Sequence, residues 1–453
     1  MYKYQILIIL ILFQLIRALF FINGKSQKYL LLSFFIITIP FEFSWPIYAG
    51  SYKTVGGTLG SVLNVTIPLL LVLIMPLFGW KNKSNIKLTY WYLLVGLFIL
   101  ISLINPFSSL KSTSLFFGIF IMSHSLFFIQ IFKKMLYNDI ILGFFDGFSI
   151  LCIIQFILAI CFPLLGMSKV TTLFHLSAGD WSTRMDSRVG AVGTFVHPGN
   201  LALFITIASA FFLGCYLSKY KKKMSLFFIG LNLITLFLTF SRTVYLSFLV
   251  DILFIYYIFL NAHKNIFALN NLLKFIIPLV CLIIYIVYYS PVSDIFLKSD
   301  ADDMLEARLL HFYMGYQAFL SSPIIGVGIN SHLEYFYFHT NLFNTQIIDD
   351  FLWNNPIHNT HIIILVETGI IGLVSWIAFV FESISKSKQE IACRKRPILA
   401  VSQIGLLMGI CIYGMSGWAP LSSGILPFIL LFSFFSIQFR TSPNKLKYLK
   451  QIR

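Results

Sequence analysis

Three stretches of this sequence put an unusual polar residue where an apolar segment begins. They read Arg188-Val-Gly-Ala-Val-Gly-Thr-Phe-Val-His197-Pro198-Gly-Asn200, Thr239-Phe-Ser241-Arg242-Thr243 and Asn354-Asn355-Pro356-Ile357-His358-Asn359. Proline suits the first position of a helix, so Pro198 and Pro356 predict helix starts with His197 at the cap and His358 in the first turn. Ser241 is a cap candidate at the second stretch. A helix start carries unpaired N–H groups and the positive end of the dipole, and so attracts phosphate. An arginine there is unfavourable unless an anion compensates it. Arg242, opening an apolar segment, therefore points to an anionic ligand. With Arg188 and Arg308 it would make three guanidiniums suited to forked phosphate contacts. Each arginine alone could snorkel to the headgroups, but three together favour the anion site. The same dipole disfavours imidazolium, which keeps His358 neutral and available as a base.

The segment after His358 carries Gly369 and Gly372 near the histidine's own face, a small-residue stripe predicted to admit a second helix beneath it. Glu367 falls on the opposite side. It, Asp146 and Asp251 are acids within apolar runs, functional candidates by default; with no partner assigned to any of them, they are expected to be structural hydrogen-bonding residues.

The elements that must position these groups are membrane spans. Of 453 residues 58% are hydrophobic and 11% charged, with a mean hydropathy of +0.85. So little charge could not cover a soluble domain. The expected fold is all-α and polytopic, a single membrane domain over 1–453 with about thirteen transmembrane helices. Apolar runs fall near 4–22, 29–48, 59–79, 88–105, 115–132, 140–165, 200–217, 225–240, 243–261, 272–290, 358–382, 398–416 and 422–439. The first run lacks a small-residue cleavage site and reads as an anchor. The net charge of +16 sits in short loops between spans, the pattern of membrane orientation and not of nucleic-acid binding. With the amino terminus outside and the carboxyl terminus cytoplasmic, every inward loop carries at least two lysines or arginines, including the run Lys386–Arg396 and the tail Arg440–Arg453. The six cysteines show no CxxC pair and read as packing residues, neither a disulfide frame nor a metal site.

This orientation leaves the long loop 291–357 outside, too long for a connector and expected to hold short helices. Within it Ser299-Asp300-Ala301-Asp302-Asp303 reads as an acidic helix start, its carboxylates favouring the dipole there over binding a cation. In the helix that follows, Arg308, His311 and Gly315 share one face.

At these residues the sequence resembles the O-antigen ligase and Wzy-type polysaccharide polymerase superfamily of bacteria. The resemblance rests on Thr239-Phe-Ser-Arg242-Thr, on Arg308, on Ser321-Ser-Pro323-Ile-Ile-Gly326-Val-Gly328, and on His358-Asn359 followed after nine residues by Gly369-Ile-Ile-Gly372. The Arg308 motif departs from the family, with Phe312 where the ligases favour leucine. The resemblance implies a metal-independent, inverting glycosyltransferase of the inner membrane, with no cofactor. Its donor would be an oligosaccharide on undecaprenyl pyrophosphate and its acceptor a sugar, with a chain-length regulator and a flippase as further partners. Carried over, His358 would be the base, and Arg188, Arg242 and Arg308 would hold the pyrophosphate, with His197, His311 and Asn359 completing the substrate site. A repeat-unit polymerase is the expected activity; a ligase to lipid A core and a lipid-linked-sugar flippase or other transporter are the alternatives. A protein oligosaccharyltransferase is disfavoured because little chain follows the last span.

Overall fold

The computed structural model describes residues 2–20, 28–49, 62–74, 90–107, 111–132, 135, 137–165, 190–195, 197–262, 301–339, 356–393 and 397–438. The predicted span 272–290, the basic tail and Arg188 lie outside them. The described helices are α1 (Tyr2–Phe20), α2 (Lys28–Thr38), α3 (Ile67–Ile74), α4 (Tyr90–Ile104), α5 (Lys111–Phe132), α6 (Tyr137–Leu165), α7 (Pro198–Leu217) and α8 (Lys222–Leu238). They continue with α9 (Arg242–Ala262), α10 (Ala301–Ser321), α11 (His332–Phe338), α12 (Thr360–Ala392), α13 (Pro397–Tyr413) and α14 (Leu426–Gln438). Among the described residues five segments are long and apolar enough to cross a membrane, in α5, α6, α7, α9 and α12, and four shorter apolar helices lie in α1, α2, α4 and α13. The chain is a mostly helical, multi-pass membrane protein.

Two predicted spans take another form. The run 29–48 is helical only to Thr38, passes through a 3₁₀ turn at Ile39–Phe41, and continues as strand β1 (Ser44–Ala49). The run 59–79 opens as strand β2 (Val62–Thr66), antiparallel to β1 with Ser44 opposite Thr66, and only then becomes α3. Prolines explain the break. Pro40 and Pro46 lack the N–H that a helix needs, and each pushes its predecessor towards extended backbone. Hydropathy alone does not register either effect.

Helix α7 is the hub of the bundle, packed on α13, α8, α9 and α6. Its apolar residues are buried on nearly every side, the pattern of a helix surrounded by other helices. Phenylalanine fills the centre: Phe148 meets Phe211 at 5.3 Å and Phe204 meets Phe428 at 5.4 Å between ring centroids. Offset and tilted aromatic pairs of this kind add to simple burial.

The intramembrane acids divide. Asp146 receives both terminal nitrogens of Arg17, at 2.8 and 2.6 Å, and the Ser33 hydroxyl at 2.5 Å, tying α1 and α2 to α6. Glu367 accepts from the Ser331 amide at 3.1 Å and lies 2.7 Å from His332 Nδ1. Both are hydrogen-bonded within the fold, as expected. Asp251 is buried with Oδ1 unpartnered among the described residues.

Candidate functional site

The described part of the long loop, residues 301–339, does not stand clear of the bundle. Helix α10, described over Ala301–Ser321, packs along the first half of α12. Gly315 makes the close approach possible: a Cβ there would lie 3.1 Å from Ile357, 3.3 Å from Ile362 and 3.5 Å from Val366. One and two turns earlier on the same face come His311 and Arg308. His311 is fully buried and stacks on His358, with ring centroids 6.0 Å apart and planes 18° apart. The predicted face is thus the one that meets the predicted base.

Gly369 does not belong to a stripe for helix packing. It has φ +64° and ψ −167° and breaks α12 in two. The amides of Ile370 and Ile371 would ordinarily bond the carbonyls of Val366 and Glu367. Instead Val327 N and Gly328 N donate to those two carbonyls, at 2.9 and 3.0 Å, while Ile370 N and Ile371 N donate to Pro323 and Ile324, at 2.9 and 3.4 Å. Two lost helical bonds are replaced by four to the segment 323–328. Broken helices are tolerated at membrane depth when protein re-satisfies the backbone in this way. The buried Asn105, Ser102 and Ser114 hold the same segment through Gly326 O, Ile329 N and Ile329 O. Gly372 serves the break too: a Cβ there would strike Thr368 Oγ1, which bonds Ile364 O. The two motifs Pro323–Gly328 and Gly369–Gly372 are therefore halves of one joint, which fixes α10 and α12 relative to each other.

The start of α12 also departs from expectation. Asn359 is the cap, its Oδ1 accepting from His361 N and Ile362 N at 2.9 and 3.0 Å, so His358 stands one residue before the cap and not in the first turn. Asn359 outcompetes the proline signal because its amide oxygen satisfies two end N–H groups at once. Its Nδ2 donates to Met415 O. Thr360 N donates to Gly414 O and Gly417 O, and Thr360 Oγ1 to Gly417 O at 2.7 Å. His361 Nε2 donates to Cys411 O. The start of α12 is bolted to the turn that follows α13.

At α7 the prediction holds in detail. His197 is the cap, Pro198 is the first helical residue, and His197 Nδ1 accepts from Gly199 N at 2.9 Å. An Nδ1 that accepts puts the proton of a neutral ring on Nε2. At α9, Arg242 is the first helical residue and its side chain lies outside the described residues. The Ser241 carbonyl accepts from Val244 and Tyr245, and Ala191 N donates to Leu238 O, so the segment described from Gly190 runs against the turn before Arg242.

The free amides expected to attract phosphate are already occupied at α7 and α12. Side chains must meet any anion there. Arg308 Nε and His358 Nδ1 are both screened from solvent and unpartnered among the described residues. Burial pushes the His358 imidazolium down to about 3, and the charge of Arg308 with the His311 and His197 rings acts in the same direction. Burial alone pushes His197 down to about 4. Both rings are neutral at pH 7, as the base reading needs. Among the described residues no three His, Cys, Asp or Glu side chains converge to hold a metal ion.

Sequence reasoning missed Tyr413. Ser247 Oγ donates to Gly409 O, and Asp251 Oδ2 lies 3.1 Å from where a Cβ at Gly405 would sit. These two contacts, four residues apart on each helix, set α9 and α13 antiparallel. One further step of four brings Thr243 level with Tyr413, and so the helix start at Arg242 to this same end of the bundle. Its signal was a tyrosine ending an apolar helix, which looks like any interfacial tyrosine.

Residues 225–377 match the family model Wzy_C, O-antigen ligase. That segment belongs to the O-antigen ligase and Wzy-type superfamily. It carries Arg242, Arg308, His358 and the helix break, and leaves His197 and Tyr413 outside. No curated protein matches the chain. The match points to a function related to polysaccharide or O-antigen.

Proposed function

We propose that the protein is a repeat-unit polysaccharide polymerase, joining oligosaccharides carried on undecaprenyl pyrophosphate at the outer face of the bacterial inner membrane. The observation that carries this reading is the juxtaposition of Arg308 and His311 with His358 at the capped start of α12. In the reaction His358 takes the proton of an acceptor sugar hydroxyl, and that oxygen attacks the donor's anomeric carbon from the side opposite the pyrophosphate. The bond from that carbon to the pyrophosphate oxygen breaks, and the leaving group departs with the electron pair and with inverted configuration at the sugar. Arg308, with Arg242 and Arg188, stabilises the growing charge, which is the main catalytic need for such a leaving group.

An imidazole held near 3 is a weak base. The bound pyrophosphate offsets the arginine charge, the second cause of that depression, and so raises the basicity of His358, while the larger cause, burial, stays.

One observation favours a second reading, transfer of finished polymer to lipid A core: the matched family is named for the ligase. The two are separated with purified protein in nanodiscs given lipid-linked repeat units, with and without a lipid A core acceptor. A ladder of lengthening chains without the core is the expected result. Product formed only on the core would establish the ligase. Units moved across a sealed bilayer, with no new glycosidic bond, would establish a flippase.

A further inference from the structure

Tyr413 closes α13 with its ring buried and its hydroxyl held at the meeting point of four helix ends. The hydroxyl oxygen lies 2.3 Å from where a Cβ at Gly199 would sit and 2.8 Å from the corresponding point at Gly417. The Gly199 point is also 3.0 Å from His197 Nδ1, so the phenol rests against the first turn of α7. On a second side, the turn beginning at Gly414 is bonded to Thr360 and Asn359, next in sequence to His358. On a third, the register of α9 against α13 brings the start of α9 alongside. Arg308 is close enough for its charge to act on both Tyr413 and His358.

No group among the described residues accepts a hydrogen bond from this hydroxyl. A phenol hydroxyl with no protein acceptor is open to one that a ligand oxygen supplies. The ligand's chemistry follows from the neighbours. A guanidinium and neutral N–H and O–H donors suit an oxygen that gains negative charge, because a donor aimed where charge develops does its work in the transition state. Building on the pyrophosphate reading of this site, we infer that Tyr413 donates its hydroxyl hydrogen to a non-bridging oxygen of the donor's pyrophosphate, beside Arg308. Gly199 and Gly417 are small because the phenol occupies the space where their side chains would be.

Tyr413→Phe keeps the ring and deletes the donor. In nanodiscs with the lipid-linked donor, its kcat/KM should fall about ten- to a hundred-fold, the usual range for one hydrogen bond to a charged group. Inhibition by inorganic pyrophosphate should weaken by a similar factor, with an unchanged Tm. A merely structural tyrosine would lower Tm and leave the pyrophosphate inhibition constant alone. That constant does not depend on how much enzyme is folded, so a partly unfolded preparation still reads it. An unchanged constant and kcat/KM in Tyr413→Phe, with Arg308→Ala inactive, would overturn the inference and leave the function standing. If Arg308→Ala also kept both, or if pyrophosphate did not inhibit the unaltered protein, the pyrophosphate reading itself would fail.

Discussion

His358→Ala should stop polymer elongation while leaving the protein at its normal level in the membrane. The helix start does not depend on the imidazole: Asn359 caps α12, and Thr360 and His361 tie it to the turn after α13. The substitution removes a half-buried ring that stacks on His311 and makes no cap bond, so the backbone that carries the site stays in place. Loss of a positioned general base reduces turnover by about a hundred- to ten-thousand-fold. Surface polysaccharide run on a gel should collapse from a ladder to a single repeat unit on its acceptor. A normal ladder from this variant would end the assignment of His358 as the base.

The other large effect lies eleven residues further along the chain, inside α12. Gly369→Ala should deplete folded protein and abolish activity together. The position has φ +64°, and an added Cβ would sit 2.2 Å from Ile324 O and 2.6 Å from Ile325 N. An L-residue is strained there whatever the space, and the clash is with main chain, which cannot rotate away. Relieving it means opening the joint, which exposes up to four main-chain hydrogen bonds in an apolar interior. Unmade buried hydrogen bonds cost about 1–3 kcal/mol each, comparable in sum to the whole stability of many proteins. Gly230→Ala is the control, since a Cβ there meets nothing within 4 Å and the residue lies inside α8. Membrane-fraction level and Tm should drop for the first variant and hold or rise slightly for the second. Equal behaviour of the two would contradict the joint.

Much of the site was legible in the sequence because it depended on local signals. Proline at the first position located the start of α7 and its histidine cap. Helical spacing put Arg308, His311 and Gly315 on one face, and that face is the one that meets α12. The acids at 146 and 367 were read as structural, and both have partners within the fold. What was not legible depended on distant backbone. Gly369 and Gly372 fit a packing stripe by spacing alone, and only the segment 323–328 reveals a broken helix. The cap at Asn359 was hidden by a stronger-looking proline three residues earlier. Tyr413 could not be nominated at all, since its significance comes from the register of α13 against α9 and from contacts with α7 and α12. Hydropathy likewise could not see the hairpin of β1 and β2, because apolar residues serve a strand as well as a span.

In the proposed reaction Arg308 holds the donor while His358 activates the acceptor, two roles within one site. Binding of the lipid-linked pyrophosphate donor to the purified protein in nanodiscs, without acceptor, separates them most directly. His358→Ala should bind the donor as tightly as the unaltered protein although it cannot elongate, and Arg308→Ala should lose most of that affinity. Arg308→Ala binding the donor normally, or His358→Ala failing to bind it while still folded, would contradict the account.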